Sequence, residues 1–180
     1  PLWSRGLGDV YKRQVMHPLA ESVQARFPHG VVSVYEWRGD IAVTVTRDQV
    51  HDVCRYLRDE PSMDFDYMVH VSSVDWPDEE ERFEVVWEVY SIRHRHRIRI
   101  KTRVPEHNCY VDSMTDVWRG AEFMEREVFD MMGIRFKNHP DLRRILMPDE
   151  YNEGWPLRKD FPLQGKGWRD TFDFLSEGTA

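Results

Sequence analysis

Two runs of alternating residues constrain this chain more than any other feature. Phe83, Val85, Trp87 and Val89 alternate with Glu84, Val86, Glu88 and Tyr90. After a short break, Ile98, Ile100, Thr102 and Val104 alternate with Arg97, Arg99, Lys101 and Arg103. Successive side chains of a strand point to opposite faces, so this period of two predicts a hairpin with one face on a core. The basic outer face has three readings. It can hold an anion, it can pair with Glu84 and Glu88 across the hairpin, or it can dock on an acidic partner.

The preceding residues predict the rest of an α+β body. Pro18–Phe27 reads as a short helix, with Pro18 in the first turn and Leu19, Val23 and Phe27 recurring every four residues. Val31–Trp37 and Ile41–Thr46 are β-branched runs around Arg38-Gly39-Asp40, a hairpin turn that also spells an integrin-recognition tripeptide. Thr46-Arg47-Asp48-Gln49 has capping-box spacing, and Val50, Val53, Cys54 and Leu57 then form one apolar helical face. Pro61 ends that helix, because the residue before a proline is pushed out of the α region. Tyr67–Val74 is a further strand.

A chain of 180 residues suffices for one compact domain with appendages, at roughly 100–200 residues per domain. Its net charge of −7 disfavours general nucleic-acid binding, which needs a basic surface. No apolar run approaches the ~18–20 residues that span a bilayer. Two cysteines, Cys54 and Cys109, allow at most one disulfide and cannot alone ligate a cluster or a four-cysteine zinc site. His94 and His96 form a His-x-His pair in the turn region that in a strand would share a face and could bind one metal, but a short-range third ligand is missing and flanking arginines repel cations. Nucleotide-binding, phosphate-loop and nucleophile-elbow motifs are absent. Residues 1–14 stand apart: Ser4–Gln14 looks like the in-frame translation of a transposon adapter from sequencing libraries, and is set aside as a scar. Arg5, Lys12 and Arg13 against Asp9 give this segment +2, so the remainder carries about −9.

The second half holds a long helix and an extended tail. Ser113 or Thr115 can cap a helix from Asp116 to Met132, with Val117, Ala121, Met124, Val128 and Met131 or Met132 on one side and Gly133 just past its end. Glu122–Arg126 and Arg126–Asp130 are i,i+4 pairs. Glu125, Arg126 and Glu127 lie about 100° apart, so they cannot share one solvated face. At least one is directed to the protein body or a partner, where an unpaired charge is costly. A catalytic carboxylate is an alternative, but it needs a cleft and a second placed group. Residues 136–180 contain Pro140, Pro148, Pro156 and Pro162, few periodic apolar positions, and the anchors Ile145, Leu146, Trp155, Leu157 and Phe161. This predicts a proline-stiffened strap that wraps another surface. The expected architecture is therefore α+β, with a mixed or antiparallel sheet and packed helices over 15–135 and an extended strap over 136–180.

Several motifs in order resemble one family. Glu125-Arg126-Glu127, Asp130-Met131-Met132, His139, Arg143 and Ile145-Leu146 match the signature of the 30-kDa subunit (C chain) of respiratory complex I, the proton-translocating NADH:quinone oxidoreductase. The match extends through Val74-Asp75, the 83–104 hairpin, Thr115-Asp116-Val117-Trp118 and Pro156-Leu157-Arg158-Lys159-Asp160-Phe161-Pro162-Leu163. The resemblance implies a scaffold subunit of the peripheral arm, on the cytoplasmic side of a bacterial inner membrane and without a span of its own. It implies packing on the D (49-kDa) and B subunits through Glu125, Arg126, Glu127, Asp130, His139, Arg143, Ile145, Leu146, Leu157, Arg158, Lys159 and Asp160. It also implies that NADH, FMN, iron–sulfur clusters and quinone act in the assembled complex but none in this chain. On this view, reversing Arg126 or Arg158 to Glu should weaken assembly and leave the isolated fold intact. Two other readings remain: the equivalent subunit of an energy-converting hydrogenase or related membrane dehydrogenase, and an independent enzyme using Glu125, Glu127 or His139.

Overall fold

A computed structural model describes residues 17–162. The adapter-like segment 1–14 and the strap residues from 163 onward lie outside the described residues. Elements follow in the order α1 (Pro18–Arg26), β1 (Val31–Trp37), β2 (Asp40–Val45), α2 (Val50–Asp59), β3 (Tyr67–Asp75), β4 (Phe83–Ser91), β5 (His96–Val104), β6 (Tyr110–Asp112), α3 (Ala121–Met132) and β7 (Arg135–Lys137). The main sheet has the order β1-β2-β5-β4-β3, and β6 pairs with β7 separately. The chain divides into two compact units, one holding residues up to His70 with Val86–Thr102, the other Val71–Val85 with the residues from Arg103 on.

In the first unit, the expected elements form where local chemistry favours them. Pro18 opens α1, and the Nδ1 of His17 accepts the Leu19 N–H at 3.2 Å, satisfying one donor of the first turn. β1 and β2 pair antiparallel around Arg38 and Gly39, both at positive φ (52° and 85°), the arrangement that fits a two-residue hairpin turn to strand twist. α2 ends at Asp59, with Glu60 extended before Pro61. The capping box does not form: Thr46 makes no side-chain capping bond, and Arg47–Gln49 is a 3-10 turn leading into α2. The Gln49 side chain lies instead against Gly30, where a Cβ would meet its Oε1 at 2.1 Å. Trp87, Val89, Ile98 and Ile100 are fully buried with Val53, Leu57 and Val23. Of the outward arginines, Arg99 Nε reaches Glu88 across the hairpin at 2.7 Å, whereas Arg97 meets Asp40 on the other neighbouring strand, β2.

In the second unit, Phe83, Val85, Val104, Val111, Met114, Ala121 and Ile134 are fully buried. Arg103 pairs with Glu84 at 3.4 Å, the cross-hairpin contact that alternation predicts. α3 is shorter than its periodicity suggests. It starts at Ala121, not Asp116, because Met114–Trp118 is a tight turn (Trp118 N–H to the Met114 carbonyl, 2.7 Å) and Gly120 stands at the entry. Neither Ser113 nor Thr115 caps it. At the other end Gly133 is left-handed (φ 76°) and its N–H donates to the Phe129 carbonyl, as expected of a helix-terminating glycine.

Candidate functional site

The charged signature sits on α3, and most of it turns inward. Glu125 is fully buried and receives the Ser113 hydroxyl at 2.6 Å and the Met114 N–H at 2.7 Å. With its proton committed to Glu125, Ser113 Oγ accepts from the Thr115 hydroxyl at 2.9 Å and from the Thr115 N–H at 3.2 Å. The residue expected to cap the helix is therefore recruited by a carboxylate from inside it. Arg126, also buried, donates to the carbonyls of Arg143 (3.2 Å) and Arg144 (3.0 Å). Glu127 is exposed.

Asp130 is the centre of the first strap contact. Fully buried, it receives the Arg144 guanidinium on Oδ1 at 2.6 Å and three successive backbone N–H groups on Oδ2: Ile145 at 3.0 Å, Leu146 at 2.8 Å and Met147 at 2.8 Å. Burial alone would raise its pKa. The N–H donors and Arg144 outweigh burial and hold the carboxyl below its ordinary value. Because the donors are main-chain groups, Asp130 fixes the backbone of 145–147 and leaves its side chains free to face outward. Ile145 and Leu146 are 38% and 60% exposed.

A second contact holds residues 157–160. Arg82 grips Asp75 through Nε (2.7 Å) and Nη2 (2.9 Å), and its guanidinium also reaches Glu106 (3.1 Å) and Asp160 (3.0 Å). Asp75 then accepts the Lys159 N–H at 2.8 Å, a contact between positions 84 apart in the chain. The Arg82 hydrogen bond is the main reason the Asp75 carboxyl lies below its ordinary pKa; Asp160 is lowered by the same guanidinium. Arg158 donates to the Met132 carbonyl at 2.8 Å and to Glu106 at 3.1 Å, over the rings of Phe83 (4.7 Å) and Trp155 (5.8 Å).

These contacts also complete α3. The last four carbonyls of a helix have no partner within it. Here Phe129 receives the Gly133 N–H, Asp130 the Arg144 guanidinium at 3.4 Å, Met131 the Leu157 N–H at 3.1 Å, and Met132 Arg158. Two strap guanidiniums thus stand at the negative end of a helix whose own last turn has no basic residue. Trp155 packs against Phe129 (centroids 5.6 Å apart) and lies over Gly133, where a Cβ would come within 2.5 Å of the indole.

The remaining signature residues divide between support and surface. His139 Nδ1 accepts the Asp141 N–H at 3.0 Å, which leaves Nε2 protonated to donate to the Glu122 carbonyl at 2.9 Å. With both nitrogens engaged, His139 offers no free base. Arg143, Leu157, Lys159 and Asp160 are exposed, and Arg143 pairs locally with Asp141 at 2.8 Å. Arg82 and Glu106 stand out in no sequence pattern. The available signal is an arginine placed directly after the acidic 75–81 loop.

A model of the respiratory-chain NADH dehydrogenase 30 Kd subunit matches residues 43–167. The chain belongs to this family. The C subunit of the NADH-quinone oxidoreductase of Geobacter sulfurreducens is 45% identical over 144 residues, covering 79% of this chain and 87% of that protein. Its counterpart in a Roseiflexus species is 44% identical over 153 residues, 85% and 87% of the two chains. A trypsin-resistant fragment of Nqo5 superposes with a TM-score of 0.59 at 27% identity, over 69% of this chain and 96% of that one. A chain of the membrane-bound sulfane sulfur reductase, an archaeal respiratory membrane complex, gives a TM-score of 0.68 at 21% identity over 88% of both, a likeness of fold.

Among the cofactors of such an enzyme, an iron–sulfur cluster can be tested against the 30-kDa family fold seen here. Cluster ligation needs several thiolates. Cys54 is buried, burial pushes the Cys109 thiol up to about 11, and no group of three or more His, Cys, Asp or Glu could hold a metal among the described residues. These residues do not fit a cluster. No helix among the described residues is long and apolar enough to cross a membrane.

Proposed function

We propose that this chain is a scaffold subunit of the peripheral arm of a bacterial NADH:quinone oxidoreductase. It packs on the D and B subunits at the cytoplasmic face of the inner membrane and orders the region through which electrons reach quinone. NADH, FMN, clusters and quinone are handled by its partners. One observation carries this reading. Buried charges pin the strap's backbone to its own chain while Ile145, Leu146 and Leu157 stay at least 38% exposed. Apolar side chains held outward on a rigid backbone are suited to be anchors in a partner's pockets, because little further ordering is lost on binding. The exposed Glu127, Arg143, Lys159 and Asp160 supply a polar rim that fixes register.

The test is co-purification of a tagged chain from detergent-solubilised membranes. The native chain should bring down the D and B subunits together with the NADH-binding flavoprotein. L146D/L157D should lose them while retaining its own fold, since neither side chain is part of the internal clamps. Full retention of partners by this variant would move the interface elsewhere. Recovery of nickel-site hydrogenase subunits instead would assign the chain to the related complex.

A further inference from the structure

A cleft of about 400 Å³ opens in the first unit, with His17, Arg38, Asp40, Arg95, His96 and Arg97 among its lining residues. Topology explains its charge. β2 and β5 pair in parallel, Ala42 opposite Arg99, so both strands begin at the same end of the sheet. The turns entering them therefore lie side by side. Each carries an arginine in the left-handed region, Arg38 at φ 52° and Arg95 at φ 56°. Backbone conformations that L side chains rarely adopt thus recur at both rims of one cleft.

The positive charges outnumber their partners. Asp40 is the one carboxylate in the lining, and it is already paired with Arg97 and lies 3.8 Å from Arg99. Arg38 stacks over Trp37 at 4.5 Å and Arg95 contributes only its backbone N–H to the turn, so neither guanidinium meets a carboxylate among the described residues. His17 uses Nδ1 on the Leu19 N–H, which leaves its Nε2–H as a further donor. Burial, then the neighbouring His94 and His17, depress the His96 pKa.

We propose that this cleft binds a phosphate group, free or esterified on a lipid headgroup, between the guanidiniums of Arg38 and Arg95. Arginine matches phosphate oxygens in a fixed, bidentate geometry, and the volume exceeds that of the inorganic ion, leaving room for an ester substituent. The site is separate from the strap and does not depend on the assembly role proposed above.

The test titrates the purified full chain with inorganic phosphate, against chloride at matched ionic strength, while NMR follows the arginine Nε–H and histidine ring signals. A second arm measures binding to phosphatidylcholine vesicles with and without phosphatidic acid. Saturable shifts of Arg38 and Arg95 with phosphate place the free anion in the site; binding to the acidic vesicles alone places the lipid headgroup there. In either arm R38Q/R95Q should weaken binding at least tenfold and leave the thermal midpoint unchanged, because both side chains are exposed at turn tips. D40N, which removes the competing carboxylate, should tighten binding several-fold. Equal responses to phosphate and chloride without vesicle binding, or unaltered affinity in both variants, would overturn the proposal.

Discussion

Asp130 and Arg144 meet at 2.6 Å with the carboxylate wholly buried and the arginine side chain 17% exposed. Shielding from water makes this pair unlike a surface ion pair, and the same carboxylate also collects three strap N–H groups. D130N removes the charge but keeps the shape, so Arg144 loses its counter-ion and an amide faces donors. The expected cost is about 3–5 kcal/mol, the range for breaking a buried pair. Urea unfolding measures it. Trypsin should also cut faster after Arg143 and Arg144 in the variant; unchanged cleavage and stability would dismiss Asp130 as the strap's main fastening.

Gly133 is constrained twice, by its positive φ and by the indole of Trp155. G133A should destabilise by about 1–3 kcal/mol from backbone strain alone, with more from displacement of Trp155. Trp155 fluorescence should shift toward that of a solvated indole in the same variant. A neutral unfolding midpoint would contradict the packing described.

Acid should loosen the strap. Asp75, Asp130 and Asp160 each lie below the ordinary carboxylate value of 3.8 in the folded chain. A depressed pKa means the folded state favours the ionised form, so the stabilisation is complete above about 3.8 and is lost as pH falls through the lower folded values. The protection factors of the Ile145–Met147 and Lys159 amides, exchange measured against the intrinsic rate at each pH, should fall below about pH 4 and hold steady above it. D75N should flatten the Lys159 response only.

Cys109 should resist alkylation. Its thiol pKa of about 11 leaves little thiolate near neutrality. Iodoacetamide should label it slowly at pH 7.5 and rapidly after unfolding in urea. Rapid labelling of the native chain would rule out the half-buried setting.

Arg126 and Arg158 each bond within the chain. The family resemblance implies that reversal to Glu spares the fold, yet Arg126 holds two strap carbonyls and Arg158 holds Met132 and Glu106. R126E and R158E should therefore each lower the unfolding midpoint of the isolated chain, and any loss of assembly follows from a released strap. An unaltered midpoint would restore a purely inter-subunit role.

Local patterns reveal local structure. The alternation over 83–104 identifies the buried residues of β4 and β5, and Pro61 and Gly133 mark where helices stop, because strand faces and helix ends are decided by near neighbours. The start of α3 is misjudged from spacing because the 3-4 pattern of Val117 and Ala121 continues across a turn, while Gly120, the local breaker, lies within that pattern. The destinations of the signature charges are less legible. Glu125 finds Ser113 and Met114 11–12 positions away, Asp130 finds residues 14–17 positions on, and Asp75 finds Lys159, pairings set by tertiary proximity and by no periodicity. The family signature marks these residues as special without revealing that several of them hold the chain to itself.

The 84-residue separation between Asp75 and Lys159 has a consequence for biosynthesis. At translation speeds of ~5–20 residues per second, Asp75 is made roughly 4–17 s before the segment that completes its contacts. Arg82 must keep that carboxylate compensated during the wait, since it follows only seven positions later. On the interface proposed above, a partner that grips the fastened strap would meet finished chains and pass over nascent ones, so the order of synthesis would itself screen what is assembled.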